Sequence, residues 1–400
     1  MSSVCIYEET ANSECLLYKG WGMKLLHLAD LHIGKRVYEY SMLEEQKRAL
    51  TQAVSMAIEQ EVDVVLIAGD VYDKSVPSIE GVKLLDSFLT ALSEKNIPVF
   101  FISGNHDCSE RLSFGKRLLE TAGIYVSGAY EQQIQRITLS DCYGEVNFYL
   151  LPFMKLQQIE VLEGEEVPKD YTQAIQLLLN RLSIDTTKRN ILLAHQFVGG
   201  VGINLVETDS ETKSVGGLDS IDYRIFDIFD YVALGHLHKA QQVGRETVRY
   251  AGSPIKYSFS EARHVKSAAL VTIKEKGTIK IEKLPFTPLH DMREIKGTLK
   301  QLTQDEVVKA ADREDYMHIT LTDEEEIYDV FGKIRAVYPN VMLLDFDNTR
   351  TRAKGAGMVT EQAIQTYGTL ELFREFFLKQ TGSAMEETQE KIVQDILEEL

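Results

Sequence analysis

Leu28-Ala29-Asp30-Leu31-His32, Ala68-Gly69-Asp70-Val71-Tyr72-Asp73 and Ser103-Gly104-Asn105-His106-Asp107 are the stretches whose reading decides the fold. Each follows a run of aliphatic and β-branched residues: Lys24–Leu28, Val62–Ile67 and Ile97–Ile102. Runs of that length, bounded by Gly, Asp and Asn, read as buried strands that end in loops. Carboxylates, imidazoles and an amide therefore recur at the carboxyl ends of successive strands, where open α/β sheets hold ligands. Two later blocks repeat the arrangement, Ala194-His195-Gln196 after Asn190–Ala194 and Gly235-His236-Leu237-His238 after Tyr231–Leu234. Five of the nine histidines fall in these blocks.

Between the early strands the period changes to that of helices. Leu43, Leu50, Val54 and Ile58 share one face of Leu43–Ile58, and Val82, Leu85, Phe88, Leu89 and Leu92 one face of Ser78–Lys95. A third helix is expected over Ser109–Ala122. This alternation implies a parallel or mixed sheet covered by helices. Gln132–Phe153 is hairpin-like around the turn Asp141-Cys142-Tyr143-Gly144, and Tyr171–Leu182 is helical. Ile191–Leu193, Tyr231–Leu234, Ala240–Val243, Val248–Tyr250, Ala268–Ile273 and Ile279–Leu284 then read as a second sheet packed on the first.

Pro285 and Pro288 close that unit. Thr298–Leu302, a helix near Asp305–Ala311, strand Tyr316–Leu321, helix Glu324–Tyr338 and strand Val341–Phe346 make a small α+β module. Asn348–Thr360 is polar, basic and glycine-containing, the composition of a linker. Helices follow over Leu370–Lys379 and Met385–Leu400, the last with Ile392, Val393, Ile396, Leu397 and Leu400 on one face. Residues 1–22 show neither period, and no basic segment leading into an apolar one, so they are not a signal peptide. They are expected to be disordered, surface-draped or a misassigned extension ahead of Met23.

Four hundred residues with 44% apolar content are enough for two or three globular units. No apolar run is long enough to span a membrane. Cys5, Cys15, Cys108 and Cys142 have neither metal-ligand nor disulfide-framework spacing, which suits a reducing cytoplasm. Net charge is −18, from 61 acidic against 43 basic residues, and argues against a protein that coats nucleic acid indiscriminately. A local basic groove, or cations held in an acidic pocket, remain compatible with it.

Asp30 and His32 are two apart, as are His236 and His238, so in extended backbone each pair faces one side. Carboxylates, an amide oxygen and imidazoles without thiolates suit Mn²⁺, Fe, Zn²⁺ or a mixture. Two such cations about 3.5–4 Å apart need a bridging ligand, and the Asp70 carboxylate can supply it. A pair of that kind acidifies a water and polarises a phosphoryl oxygen, which phosphate-ester hydrolysis needs. A lone D-x-H or G-D pair is more often an ordinary turn; the combination, all at strand ends, points to a two-metal site.

The order D-x-H, G-D-x-x-D, G-N-H-D, H, G-H-x-H is similar to that of the calcineurin-like metallophosphoesterases, and the chain from Met23 on resembles their SbcD family, the nuclease subunits of SbcCD complexes. MKLLHLADLHIGKR (Met23–Arg36), AGDVYDKSVPS (Ala68–Ser78), SGNHDCSERLSFG (Ser103–Gly115) and YAGSPIKYSFSE (Tyr250–Glu261) carry the likeness. The resemblance implies an α/β fold: a four-layer αββα sandwich with a small α+β capping domain and C-terminal helices. In those terms 23–288 is the nuclease domain, 289–348 a DNA-capping domain, 349–364 a linker and 365–400 a segment docking on an SbcC-type coiled-coil ATPase. It further implies two divalent ions, Mn²⁺ foremost, with Asp30, His32, Asp70 and His238 on one and Asp70, Asn105, His195 and His236 on the other. His106 would stabilise the transition state or protonate the leaving 3′ oxygen, and Asp107 would orient His106 or its loop. Cys108 stands where the family leads one to expect Ser; it is small and no ligand, and activity is expected to be unaffected.

His27 reads as structural, and His264, His290 and His318 as surface or packing residues. Asp73 reads as a support of the metal loops or a simple loop cap. Lys296, Lys300, Lys333 and Arg335, with Arg350, Arg352 and Lys354, could touch phosphates or merely be solvated. The leading expectation is a Mn²⁺-dependent DNA nuclease, a duplex 3′–5′ exonuclease and single-strand or hairpin endonuclease, acting in DNA repair, recombination and replication. It would be a cytoplasmic homodimer within a heterotetramer. ATP would act through the partner, since no G-x-x-x-x-G-K-[ST] occurs. The alternatives are a phosphomonoesterase or cyclic-nucleotide phosphodiesterase on the same metals, and a DNA-end scaffold whose metal site is vestigial.

Overall fold

The computed structural model describes residues 22–349 apart from 132, 163–164, 212–219 and 326, together with Cys5, Ile6 and scattered positions between 373 and 393. Two sheets stack face to face. The first runs Ile279–Pro285, Ser267–Ile273, Met23–Leu28, Val64–Ala68, Val99–Ile102, Ile124–Ser127 from edge to edge. Its last four strands are parallel. The second runs Cys5–Ile6, Gln135–Asp141, Gly144–Leu151, Arg189–Ala194, Tyr231–Leu234, Arg245–Tyr250, Gln241–Val243, with a parallel centre.

Side-chain alternation along each strand makes the layers. Leu26, Leu28, Val65, Ile67, Val99 and Phe101 face outward onto the helices Leu43–Glu59 and Ile79–Ser93. Leu25, Val64, Leu66, Phe100 and Ile102 face inward, against Phe148, Leu150, Ile191, Leu193 and Tyr231 of the other sheet. That sheet's outer face packs Leu192, Val232 and Leu234 on Ile175, Leu178 and Leu179 of the helix Tyr171–Asn180. The result is helix, sheet, sheet, helix. Burial of strand residues on both faces explains why the metal-loop strands read as near-continuous apolar runs rather than alternating ones.

Several local expectations need correction. Ser267–Ile273 and Ile279–Pro285 belong to the first sheet, not the second: Ala269 pairs with His27 and Val271 with Leu25 in antiparallel register. No periodicity tells a strand which sheet to join. The helix expected over Ser109–Ala122 is two, Ser109–Leu112 and Lys116–Thr121, broken where Gly115 takes φ +73°. The helix expected from Glu324 begins only at Val330, where Asp329 in left-handed backbone caps the Gly332 N–H. Strands Ile124–Ser127 and Met292–Gly297 were not anticipated. Within residues 1–22, Cys5–Ile6 forms an edge strand beside Ser140 and Leu139, and 1–4 and 7–21 lie outside the described residues.

Met292–Gly297, Tyr316–Leu321 and Val341–Phe346 form a separate parallel sheet with its own core around Met317, Ile319, Ile334 and Tyr338. Glu45 ties it to the larger unit, its buried carboxylate accepting from the Leu289 and His290 N–H groups at 2.9 and 3.0 Å and pairing with His290 Nδ1 at 2.8 Å. His318 is held on the module's surface between Glu294 and Asp345. His290 is thus a packing residue and His318 a surface one, within the reading of both as surface or packing residues. The expected linker and the C-terminal docking helices lie almost wholly outside the described residues. Among the described residues no helix is long and apolar enough to cross a membrane.

His27 is buried between the sheets, its Nδ1 at 2.9 Å from the Tyr231 hydroxyl. Burial, with Arg249 nearby, lowers its pKa from 6.5 to about 3. The unfolded chain therefore binds a proton that the folded chain refuses, and this contribution to stability falls as pH drops below 6.5. In chelator, wild type should lose about 2 kcal/mol more than His27→Leu between pH 6.5 and 5. Urea midpoints at both pH values measure this, and an equal loss in the two proteins would refute it.

Candidate metal centre

The polar blocks converge at the carboxyl ends of the two parallel arrays. The first two metal loops run side by side, Asp30 N–H donating to Gly69 O at 3.1 Å and His32 N–H to Asp70 O at 2.9 Å. Asp30, His32, Asp70 and His236 have φ of 53°, 42°, 47° and 106°, a left-handed backbone that costs non-glycine residues about 1–3 kcal/mol each. Four such residues among the donors mean the surrounding hydrogen bonds hold these turns against their preference. Close approach also dictates glycine at two places. A Cβ at Gly104 would lie 2.1 Å from Asp70 Oδ1, and one at Gly235 1.7 Å from the Ala68 carbonyl.

Asp70 sits at the centre. Its Oδ2 is 3.5 Å from His32 Nε2 and 3.3 Å from His195 Nε2, between the two donor groups, while its Oδ1 accepts from the His106 N–H at 2.9 Å. On one side, His32 Nε2 and His238 Nε2 point at each other 3.1 Å apart, and the buried Asp30 Oδ2 has no hydrogen-bond partner. On the other, Asn105 Oδ1 is 3.1 Å from both His195 Nε2 and His236 Nδ1. The nitrogens facing across 3.1 Å are better read as lone pairs aimed at a common cation than as a hydrogen bond. The orphaned carboxylate oxygen and the neutral and anionic donors fit divalent metal. Asp30, His32 and His238 group together, as do Asp30, Asp70 and His195.

The electrostatics agree. Burial pushes the His32, His236 and His238 imidazoles down, His236 to about 3, so that they stay neutral donors. Burial alone would raise Asp70, but His195 and His32 hold its carboxyl well below the usual range. Burial would likewise lower His195, yet Asp70 and Asp30 together raise it to about 9. A cation would take that proton's place. Burial pushes Asp30 well above the ordinary carboxylate range, and a cation is what would keep it ionised.

His106 lies beside this cluster, its ring edge-on to His32 at 4.8 Å between centroids. Its Nδ1 is 2.9 Å from the Asp73 carbonyl, which accepts, so Nε2 is the ring nitrogen left for a substrate. The Asp107 carboxylate accepts from the Val71, Tyr72 and Gly104 N–H groups at 3.0, 2.8 and 2.9 Å. It stitches the His106 loop to the Asp70 loop, and these contacts make it a positioning group rather than one that touches reacting atoms. Burial, with Asp70 beside it, raises its pKa to about 6.

Residues that sequence reading passed over surround these donors. Lys35 Nζ donates to Asp73 Oδ1 at 2.9 Å, and that oxygen is 3.6 Å from His32 Nδ1. Ser210, Glu211, Glu261 and Lys266 gather around His238. Glu261 ends the family-like stretch Tyr250–Glu261, but nothing in ETDSETKS distinguishes Ser210 and Glu211 from an ordinary polar loop.

Such donors at paired strand ends define a metal-dependent phosphoesterase. A family model described as Calcineurin-like phosphoesterase matches residues 23–240, and one described as Type 5 capsule protein repressor C-terminal domain matches 288–381. The chain is 34% identical over 326 residues to the SbcD subunit of the SbcCD nuclease from Staphylococcus epidermidis, covering 80% of this chain and 85% of that protein. It is 31% identical over 327 residues to the protein of the same name from Staphylococcus saprophyticus, covering 80% and 84%. A dimetal phosphatase from Danio rerio aligns over 67% of this chain and 100% of its own at 12% identity, with a TM-score of 0.35. The chain belongs to the SbcD family of calcineurin-like phosphoesterases.

Proposed function

We propose that this chain is the Mn²⁺-dependent DNA nuclease subunit of an SbcCD-type complex, cutting duplex ends 3′–5′ and opening hairpins or single strands in repair, recombination and replication. The observation that carries this reading is Asp70 Oδ2 standing between His32 and His195 with the His106 ring alongside. When bound, two cations on Asp30, His32, Asp70 and His238 and on Asp70, Asn105, His195 and His236 would polarise a phosphodiester and neutralise its developing charge. The protein's own part is to keep the His32, His236 and His238 imidazoles neutral, hold Asp70 ionised, and present His106 to the leaving 3′ oxygen as a proton donor. Asp107 and Asp73 fix the loops on which this depends.

DNA as substrate finds support in the SbcCD names of the relatives and in the separate module at 292–346. Of that module's cations, Lys296 engages Asp347 and Arg335 lies over the Phe331 ring, so a phosphate there would compete with existing partners. Docking on an SbcC-type ATPase is assigned to 365–400. Homodimerisation is supported by Val76, Ile79, Phe114 and Leu118, which are 62%, 70%, 86% and 76% exposed in the segments that follow the Asp70 and Asn105 loops. Phe114→Glu with Leu118→Glu should yield a monomer by light scattering, and an unchanged dimer would remove that surface from consideration.

The test is purified protein with Mn²⁺ on a labelled hairpin-ended duplex, beside a generic phosphomonoester. Cleavage of DNA, dependent on Mn²⁺, is expected. Turnover of the small ester alone, even with the ATPase added, would favour the phosphomonoesterase reading.

A further inference from the structure

His238 is held from three directions. Its N–H donates to Glu211 Oε1 at 2.5 Å, its carbonyl accepts from Lys266 Nζ at 2.8 Å, and its Nδ1 is 2.7 Å from Ser210 Oγ. The Ser210 hydroxyl in turn lies 2.6 Å from Glu261 Oε1, a carboxylate that can only accept. With its one proton given to Glu261, Ser210 must accept from His238 Nδ1–H. That fixes the tautomer and leaves the Nε2 lone pair facing His32. Lys266 closes the circuit, pairing with Glu261 Oε2 and donating to Ser253 Oγ at 2.8 Å. Glu261 is 0% and Lys266 7% exposed. Removing both charges from water is costly, and such a pair is weak as a stabiliser, so its placement around one metal ligand asks for another explanation. The opposite corner is built differently: His195 sends its outer nitrogen to the Ala68 carbonyl at 2.7 Å, a main-chain group that no substitution removes.

We infer that Ser210, Glu261 and Lys266 form a positioning relay that sets how tightly the cation at the Asp30–His32–His238 corner is held. The relay rests on the two-metal reading and concerns affinity, not chemistry. Fixing a histidine's tautomer and ring orientation raises its quality as a ligand, and losing such a partner weakens metal binding about 10–100-fold.

The experiment is calorimetric titration of metal-stripped full-length protein with Mn²⁺. Wild type should bind two ions. Ser210→Ala should weaken one by about 10–100-fold and leave the other unchanged, and Ser210→Thr, which keeps the hydroxyl, should restore wild-type affinity. In a His236→Ala background, which damages the other corner, the Ser210→Ala loss should persist. Melting in chelator reads folding separately. Two ions bound by Ser210→Ala within twofold of wild type would overturn the relay. Equal weakening in the Ala and Thr variants would do so too, since loop packing would then be at fault. No Mn²⁺ binding by wild type would instead overturn the two-metal reading beneath it.

Discussion

His106→Ala should cut DNA cleavage by about 10²–10⁴-fold, the range lost with a general acid, while the protein keeps its full complement of metal. The two halves of that expectation come from different contacts. The His106 main-chain N–H, which supports Asp70 Oδ1 at 2.9 Å, survives the substitution. What disappears is the ring, whose Nδ1 faces the Asp73 carbonyl and whose Nε2 is left for the leaving oxygen. Substrates with a good leaving group need little protonation, so an activated aryl diester should lose far less than DNA does. Rates on both, with metal content by elemental analysis, decide the matter. Equal losses on the two substrates would show His106 acting on the attacked phosphate rather than on the leaving group. A fall in metal content would make it a ligand.

The site was legible because its donors cluster at strand ends, where short blocks carry their own punctuation. Asp30, His32, Asp70, Asn105, His195, His236 and His238 all arrive within reach of one another, although residues 30 and 238 are far apart in the chain. The two middle strands could be read from their apolar runs. Their company could not, since Ser267–Ile273 reads as a strand like those of the second sheet yet pairs with Met23–Leu28. Supports of the ligands were the least visible. Asp107 acts through three main-chain amides on two loops, and Ser210 through a serine indistinguishable from its polar neighbours. Metal ligands are few in type and announce themselves; the groups that aim them are ordinary residues recognisable only once the chain has folded.

Asp70→Asn should do more damage than any other single change, because one oxygen serves both halves of the site. Asp70 Oδ2 faces His32 at 3.5 Å and His195 at 3.3 Å, so neutralising it weakens both corners at once. Cleavage should fall by about 10³-fold or more, as when one member of an interdependent set is removed. Stability gives the cleaner readout. A ligand that binds only the folded state stabilises it by about 2.7 kcal/mol at a hundred times its Kd, so Mn²⁺ should raise the melting temperature of wild type and of His106→Ala alike. In Asp70→Asn that rise should vanish. The comparison must be of the shift, not of absolute melting points. The Asp70 carboxyl is held well below its ordinary pKa by His195 and His32, so in the metal-free fold it contributes stability above the ordinary carboxylate pKa and loses it as pH falls through the folded value. Asn forfeits that contribution whether or not metal is present. A Mn²⁺-induced shift of wild-type size in Asp70→Asn would mean that the two corners bind independently and that Asp70 does not bridge them.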